Sequence, residues 1–553
     1  MHTLVEVHQL EASVRDRHLF RIDYLRVGAG DRIGVVGPNG TGKTTLLHIL
    51  AGLLEPDGGT VTTHAGTALI PQLKDGSAGP AAKESGHPLS GGEETSAAID
   101  RAFNSQPELL LADEPTMHLD TAHIEQLEER FNRYPGAIVT VSHDRAFLDR
   151  VCTRIWSLEE GTVKVYKGGY SDYAAQREQE RRRQEQQFEA YTEKRKQLEQ
   201  AIQLKAGQAR SMLKPPKRMS TRESELLKDR KGTTQKGVHQ AIKALQTRIS
   251  KLEKVEKPRE LPRIKLDIPN AALLHNRAVV TVERLSAHAG GRLLWQDASF
   301  RMLAGRKVAL IGPNGCGKTT LLRTLLEGAD GVRIAPAVRP GYFSQSLDIL
   351  DPARSVMDNV SASAVHPPEL IRLVLARLLF RGDDVFKLVG VLSGGERVRV
   401  AFAKVFLSDM NMLIADEPTN FLDISSLEAL ESLLKEYEGT VLFVSHDRRF
   451  VESVADQIIE IEGRKVTSFD GTLQEYREHQ AQAAAKGQVE EITLMEEELL
   501  RVETRLTDVL GRLSLPVPAS KGRAGGEADL KLEEEFARLS KQRSELKQLL
   551  GRS

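Results

Sequence analysis

Two short stretches of this chain carry the same chemistry. Gly37-Pro-Asn-Gly-Thr-Gly-Lys-Thr-Thr45 and Gly312-Pro-Asn-Gly-Cys-Gly-Lys-Thr-Thr320 both fit the pattern G-x-x-x-x-G-K-[ST]. The glycines let successive backbone N–H groups turn inward on a triphosphate. The lysine (Lys43, Lys318) supplies charge to its β- and γ-phosphates, and the threonine hydroxyl (Thr44, Thr319) can ligate Mg²⁺. Candidate nucleotide-binding residues are therefore Gly37, Asn39, Gly40, Gly42, Lys43, Thr44 and Thr45. Their counterparts are Gly312, Asn314, Gly315, Gly317, Lys318, Thr319 and Thr320. Arg32–Val36 reads as a strand before the first loop and Leu46–Leu50 as a helix after it, whose positive dipole end favours the same anion.

Further on, Leu109-Leu-Leu-Ala-Asp-Glu114 is a buried-strand run ending in two carboxylates. Phosphoryl transfer needs one carboxylate for the metal and one beside the attacking water, roles that fit Asp113 and Glu114. The pair sits between Leu89-Ser-Gly-Gly-Glu93 and Val141-Ser-His143, and the second half repeats the series with Ser393-Gly-Gly-Glu396, Asp416-Glu417 and His446. From Ser90 to Glu114 and from Ser393 to Glu417 is 24 residues; from Glu114 to His143 and from Glu417 to His446 is 29. Only the interval from the loop lysine to the serine differs, 47 residues against 75, so the first copy has a shortened helical part. The chain reads as two ATPase units in tandem.

In these residues the chain resembles the ATP-binding cassette family. The resemblance makes Ser90, Gly91, Gly92 and Glu93, with Ser393, Gly394, Gly395 and Glu396, the signature motifs. Gln72 and Gln345 become the Q-loops, Leu119-Asp120 and Asp423 the D-loops, and His143 and His446 the switch histidines that contact the γ-phosphate. It implies ATP and Mg²⁺ as cofactors, with Thr44, Gln72, Asp113, Thr319, Gln345 and Asp416 around the metal and Glu114, Glu417, His143 and His446 as catalytic residues. It also implies head-to-tail pairing, with the phosphate loop of one cassette facing the signature of the other. The first copy departs from the pattern: it has Met117-His where the second has Asn420-Phe421, and Glu94-Thr where the second has Arg397-Val-Arg399. The site completed by Ser90 is therefore expected to be the weaker. Ala12 and Ala289 stand where the family places an adenine-stacking aromatic, with Tyr24 and His288 nearby but off register.

These two units flank a segment from about Tyr170 to Pro269. Phe188, Tyr191, Leu198 and Ile202 keep a coiled-coil spacing, as do Ile242, Leu245, Ile249 and Leu252. Between them Gly207, Pro215, Pro216, Gly232 and Gly237 are expected to break the helix. The pattern predicts an antiparallel helical hairpin; an arm of roughly 33 residues spans about 50 Å. Its tip is basic, and Lys205, Arg210, Lys214, Lys217 and Arg218 are the candidate contacts to a phosphate-rich partner, with Met212 and Leu213 set among them as further contact candidates. A second hairpin is predicted in the tail. Ile492, Met495, Leu499, Val502, Leu506, Val509 and Leu513 keep the repeat, then Pro516, Pro518, Gly522, Gly525 and Gly526 break it. Leu532, Phe536, Leu539, Leu546 and Leu550 resume it.

Composition sets bounds. Lys+Arg and Asp+Glu are equal at 77 each among 553 residues, so basic character is local to the tip. Two cysteines, Cys152 and Cys316, exclude a disulfide framework. The N-terminal residues do not read as a signal peptide, and no apolar run approaches a membrane span, so the expected location is the cytoplasm.

Tandem cassettes around a basic-tipped helical linker resemble the ABC-F family of translation factors. The fold class expected is α/β: two ABC-type P-loop ATPase domains (1–169 and 270–472), a helical-hairpin linker (170–269) and a C-terminal coiled-coil hairpin (473–553). The long linker and the tail look most like the antibiotic-resistance group of the Vml/Vga/Lsa/Msr type. That implies a chain that is monomeric through internal pairing of its cassettes and binds the ribosome. The tip would reach towards the peptidyl-transferase centre, contact large-subunit ribosomal RNA and P-site tRNA, and displace drug. By analogy the drugs are lincosamides, streptogramin A and pleuromutilins ahead of macrolides. Rival readings are a housekeeping ABC-F translation factor, a Uup-like DNA-associated ATPase and the ATP-binding subunit of a transporter.

Overall fold

The computed structural model describes residues 2–14, 17–72, 91–117, 119–212, 238–252, 277–344, 347–513 and 524–549. In the first cassette, β1 (Thr3–Val14), β2 (Arg17–Gly28) and β4 (Gly58–Thr63) form a small antiparallel sheet. A second sheet runs in the order β5-β6-β7-β3-β8-β9, where β3 is Arg32–Val36, β5 Thr67–Ile70, β6 Leu109–Asp113, β7 Ala137–Val141, β8 Arg154–Glu159 and β9 Thr162–Lys167. Its strands are parallel from β5 through β8.

Every residue of β6 and β7 is buried, as expected of parallel strands covered on both faces. Alternation divides each strand between two layers. Leu109 and Leu111 join the core that holds Leu46, Leu50, Phe20 and Trp156. Leu110 and Ala112 join the core that holds Leu127, Phe131 and Phe147. The phosphate loop, the Asp113–Glu114 pair and Ser142–His143 follow the carboxyl ends of β3, β6 and β7, three adjacent strands, so the sheet gathers them at one edge.

The helices on this edge start where their sequences say they should. α1 (Lys43–Leu50) begins after Gly42, whose φ of 100° a side chain would resist. α2 is Gly91–Asn104. α3 (Thr121–Arg133) is capped by the Asp120 carboxylate accepting from the N–H of His123, and α4 (Arg145–Val151) by Asp144 accepting from Ala146 and Phe147.

The second cassette repeats the plan. β10 (Ala278–Ala289), β11 (Arg292–Leu303) and β13 (Val332–Ile334) make the small sheet. The large one begins β14-β15-β16-β12, with β12 Lys307–Ile311, β14 Pro340–Phe343, β15 Met412–Asp416 and β16 Thr440–Val444. α6 (Lys318–Glu327) follows the loop. The longer interval before the signature holds α7 (Val356–Ser361) and α8 (Pro368–Arg377). Then come α9 (Gly394–Phe406), α10 (Ile424–Glu436) and α11 (Arg448–Val454). Ser393 caps α9 in a reciprocal box with Glu396.

The linker opens with α5, a single helix of 43 residues from Tyr170 to Met212, and residues 238–250 are helical. The expected break at Gly207 does not occur. One glycine costs only about 1 kcal/mol in a helix, and Ala206 and Ala209 flank it. Arg210 and Met212 lie on the last turns of α5 and Lys205 is half-buried on it; Leu213, Lys214, Lys217 and Arg218 lie outside the described residues.

A second compact unit comprises Ala455–Ile458 and Phe469–Ser553. Within it α12 (Leu473–Leu513) and α13 (Ala524–Leu549) bury Leu499, Val502, Leu506, Val509, Leu539 and Leu546, with Phe536 packed against them. Arg505–Glu535 and Lys547–Glu503 flank the seam at 3.4 and 3.3 Å. Gly525 and Gly526, expected as breakers, sit in the first turn of α13, where intrahelical N–H bonds are not yet required. Among the described residues no helix is long and apolar enough to cross a membrane.

Candidate functional site

A cavity of about 970 Å³ gathers residues from both cassettes. Asn39, Gly40, Gly42, Lys43, Thr44, Thr45, Gln72, Asp113, Glu114 and His143 line it from the first; Ser393, Gly394 and Gly395 line it from the second. The signature backbone comes so close that a Cβ on Gly395 would lie 2.9 Å from Asn39 Nδ2 and 2.5 Å from the Phe421 carbonyl. Only glycine fits there.

The two D-loop aspartates complete the join. The N–H of Asn39 donates to Asp423 Oδ2 at 2.8 Å, and the N–H of Asn314 donates to Asp120 Oδ2 at 3.1 Å. Each aspartate uses its other oxygen to cap its own helix, accepting from Ser426 at 2.8 Å and from His123 at 3.1 Å. Burial pushes the Asp120 carboxyl up, but donation from Asn314 and His123 outweighs it and holds the group below the usual carboxylate range.

Within the first site, Lys43 Nζ donates to the carbonyls of Gly37 (2.7 Å) and Pro38 (3.1 Å). Lys318 does the same with Gly312 (2.9 Å) and Pro313 (3.0 Å). Each ammonium is thus held over its own loop. Burial lowers the Lys43 pKa, opposed by Glu114, Asp423 and Asp113 nearby.

Glu114 Oε1 lies 3.2 Å from His143 Nε2, and Glu417 Oε1 lies 3.1 Å from His446 Nε2. Both glutamates adopt left-handed backbone conformations, with φ of 50° and 51°. Non-glycine residues avoid that region, and such strain collects at functional turns. Burial, with Asp113 beside it, pushes Glu114 up to about 8, while burial and the Lys43 charge push His143 down to about 3.

The residues present fit a hard divalent cation. The Thr44 hydroxyl hydrogen-bonds Asp113, and the Thr319 hydroxyl hydrogen-bonds Asp416. Asp113 Oδ2 is buried without a hydrogen-bond partner. Hydroxyl and carboxylate oxygens converging in this way are the all-oxygen donors such an ion takes. Burial raises both aspartates, and each threonine bond opposes it.

A second cavity of about 580 Å³ is lined by Gly317, Lys318, Thr319, Thr320 and Asp416, and shares Asn314, Gly315, Glu417 and His446 with the first. Ser90 and Gln345 lie outside the described residues; Gly91, Gly92 and Glu93 form the backbone of the first turn of α2.

At the base-binding end the position expected in the first cassette needs correcting, while Ala289 lines the second cavity as expected. Ala12 faces the core, 3% exposed and paired with Phe20, and Tyr24 hydrogen-bonds Glu6 on the exposed sheet. Val14, Arg17 and Leu19 line the first cavity instead, and Ala289 and Leu294 the second. The bulged hairpin register decides which residue faces the site, and counting from the loop cannot supply it.

Sequence reading also missed a buried ionic layer between the cassettes. Arg145 pairs with Glu431 and lies 3.7 Å from Asp447; Arg448 lies 3.3 Å from Glu128 and 3.6 Å from Glu125. Glu128 sits on the buried stripe Ile124, Leu127, Phe131 of α3. A carboxylate on an apolar face was the available signal.

An ABC transporter family model matches residues 22–78 and 295–420, and a second ABC transporter model, an extension, matches 156–266. The chain is 33% identical to the Erythromycin resistance ATP-binding protein MsrA of Staphylococcus epidermidis, over 84% of this chain and 98% of that one. It is 32% identical to the Ribosome protection protein VmlR of Bacillus subtilis, over 94% and 95%. Archaeal ribosome recycling factor aABCE1, solved with ribosomal stalk protein aP1, superposes with a TM-score of 0.57 at 20% identity, covering 84% of this chain and 90% of that one, a likeness of fold.

Proposed function

The chain belongs to the ABC-F family of ATPases, and we propose that it binds ribosomes in an ATP-dependent cycle and protects them from antibiotics. The observation that carries the reading is the composite cavity, where one chain supplies phosphate loop and opposing signature together. Two cassettes already joined in one polypeptide need no membrane partner to pair, and the α5 linker between them is the part left to act at a distance.

In this reading the phosphate-loop N–H groups with Lys43 and Lys318 bind the triphosphates, and Ser393 and Ser90 close each site from the opposite cassette. Thr44 and Asp113 with Gln72, and Thr319 and Asp416 with Gln345, would hold Mg²⁺, which would supply charge neutralisation to the bound triphosphate. Glu114 and Glu417 take the proton of the attacking water. A base whose pKa, about 8 for Glu114, lies near the operating pH is suited to that task. His143 and His446 hold the γ-phosphate. ATP clamps the cassettes and fixes the linker; hydrolysis releases both.

The linker tip, including Lys205, Arg210, Met212, Leu213, Lys214, Lys217 and Arg218, contacts large-subunit ribosomal RNA and P-site tRNA near the peptidyl-transferase centre. Its cations meet phosphates, while Met212 and Leu213 offer apolar reach. The protein works in the cytoplasm as a monomer. The relatives named above, one for erythromycin resistance and one for ribosome protection, support this reading.

The test is susceptibility in a drug-sensitive host. The intact chain should raise resistance to at least one of macrolides, lincosamides, streptogramin A or pleuromutilins. The Glu114→Gln/Glu417→Gln variant and a deletion of residues 212–219 should not. Unchanged susceptibility to all four, with a growth defect on deleting the native gene, would assign a housekeeping role instead.

A further inference from the structure

The two cassettes repeat each other closely in the helices that meet at their junction, and one break in that repeat lies beside the linker root. From the signature onward, residues of the two copies correspond at a fixed interval: Arg145 with Arg448, Glu128 with Glu431, Asp144 with Asp447. Their ion pairs across the junction are reciprocal. The next position is Ala146 in the first copy and Arg449 in the second. Arg449 leaves the symmetric layer, crosses to the first cassette and pairs with Asp149 of α4 and with the hydroxyl of Ser171.

Ser171 belongs to the first turn of α5. Its N–H and its hydroxyl both donate to Asp149, at 2.6 and 2.8 Å. The residue before it, Tyr170, is 3% exposed, lies under the Arg449 guanidinium at 5.4 Å from its ring centre, and donates its hydroxyl to Glu428 Oε1 at 2.9 Å. Glu428 and Arg449 are second-cassette residues. The root of the linker is therefore held on both sides of the cassette junction, although its chain issues from the first cassette alone.

The node is connected to the nucleotide. Glu428 lies on α10, the helix whose cap Asp423 accepts the N–H of Asn39 in the first phosphate loop. One rigid helix thus touches the loop that binds phosphate at its start and the linker root just over one turn later. An element with a distinct contact set in each of two states can convert binding at one end into displacement at the other. The contacts of Glu428 with Tyr170 and of Arg449 with Tyr170, Asp149 and Ser171 cross from one cassette to the other and need the cassettes together, whereas the Asp149–Ser171 bonds lie on the first-cassette side alone.

We propose that Arg449, Tyr170 and Glu428 are positioning residues that couple cassette pairing at the first ATP site to the direction of the linker helix. The proposal rests on the reading that the linker is the working arm. Its test is independent of the ribosome. Fluorophores at exposed positions Ala190 on α5 and Ser361 in the second cassette report the linker; a pair at Asn132 and Ser361 reports cassette pairing.

In the full-length Glu114→Gln/Glu417→Gln background, ATP should shift both distances. Adding Arg449→Ala or Tyr170→Phe should leave the Asn132–Ser361 response in place and reduce the shift in linker population about 5-fold or more. Arg449→Lys, which keeps the charge, should restore part of it. A Tyr170→Phe and Arg449→Ala linker response equal to the parent's would overturn the coupling. Loss of the Asn132–Ser361 response together with the linker response would also overturn it, since the residues would then serve pairing alone. Failure of the parent to bind ribosomes would count against the proposed function and leave these distances to judge the coupling separately.

Discussion

The N–H of Asn39 donates to the Asp423 carboxylate at 2.8 Å, joining the phosphate loop of the first cassette to the D-loop of the second. One residue thereby caps a helix and closes a composite site. Replacing it with alanine removes a charged acceptor, worth about 1.5–3 kcal/mol, as well as a helix cap worth about 1 kcal/mol. Asp423→Ala should therefore raise the ATP concentration needed for half-maximal turnover by about tenfold or more. An unchanged half-saturation would mean that the contact does not contribute to the closed site.

The two sites should not turn over equally. Glu94 follows the first signature, Ser90-Gly-Gly-Glu93, where Arg397 follows the second; Met117, the other departure, lines the first cavity, on the side closed by Ser393. Losing a general base costs about 10²–10⁴ in rate at the site that loses it. Steady-state ATPase assays should show a larger loss for Glu114→Gln, whose site is lined by Ser393, than for Glu417→Gln, whose site the proposed pairing closes with Ser90. Equal losses would show that the departures are silent.

The Arg145–Glu431 pair is buried on both sides, with side chains 6% and 11% exposed. Removing one partner of such a pair leaves the other charged and desolvated, a cost of about 3–5 kcal/mol. Arg145→Ala should weaken nucleotide-dependent association of the cassettes by that order. Arg145→Met with Glu431→Leu should recover part of it, because Glu431 is then no longer left charged alone, while Asp447 still loses its cation. Denaturant unfolding with and without ATP measures both.

Asp447 gives a pH signature. Burial pushes its carboxyl up to about 6 from an ordinary 3.8, against the pull of Arg145. The folded chain then holds a proton that the unfolded chain has lost between those values. Asp447 therefore contributes stability that is present below about pH 4 and lost as pH rises through about 6. Asp447→Asn removes the titration but keeps an acceptor for the Phe450 N–H. The variant should gain on the parent as pH climbs through that window, read from denaturant midpoints. A constant difference across it would contradict the assignment.

Much of this was legible beforehand, for physical reasons. Phosphate loops need glycine at fixed offsets, and fully buried parallel strands such as Leu109–Asp113 read as uninterrupted apolar runs, so loop and strand announce themselves locally. The spacing of Leu499, Val502, Leu506 and Val509 likewise predicts the seam they form. Other features depend on long-range geometry. Whether Ala12 or Val14 faces the cavity depends on hairpin register and bulges. Gly207 continues a helix because its alanine neighbours outweigh it. Arg145, Glu431, Arg449 and Tyr170 meet only after two domains have folded and paired, and no local pattern places Arg449 beside Ser171.

The central claim is an ATP-dependent hold on the ribosome. The direct measurement is co-sedimentation of the full-length Glu114→Gln/Glu417→Gln protein with purified ribosomes through a sucrose cushion, with ATP, with ADP and without nucleotide. The account predicts recovery in the ribosomal pellet with ATP and little with ADP or without nucleotide. Protein that stays in the supernatant under all three conditions would contradict it.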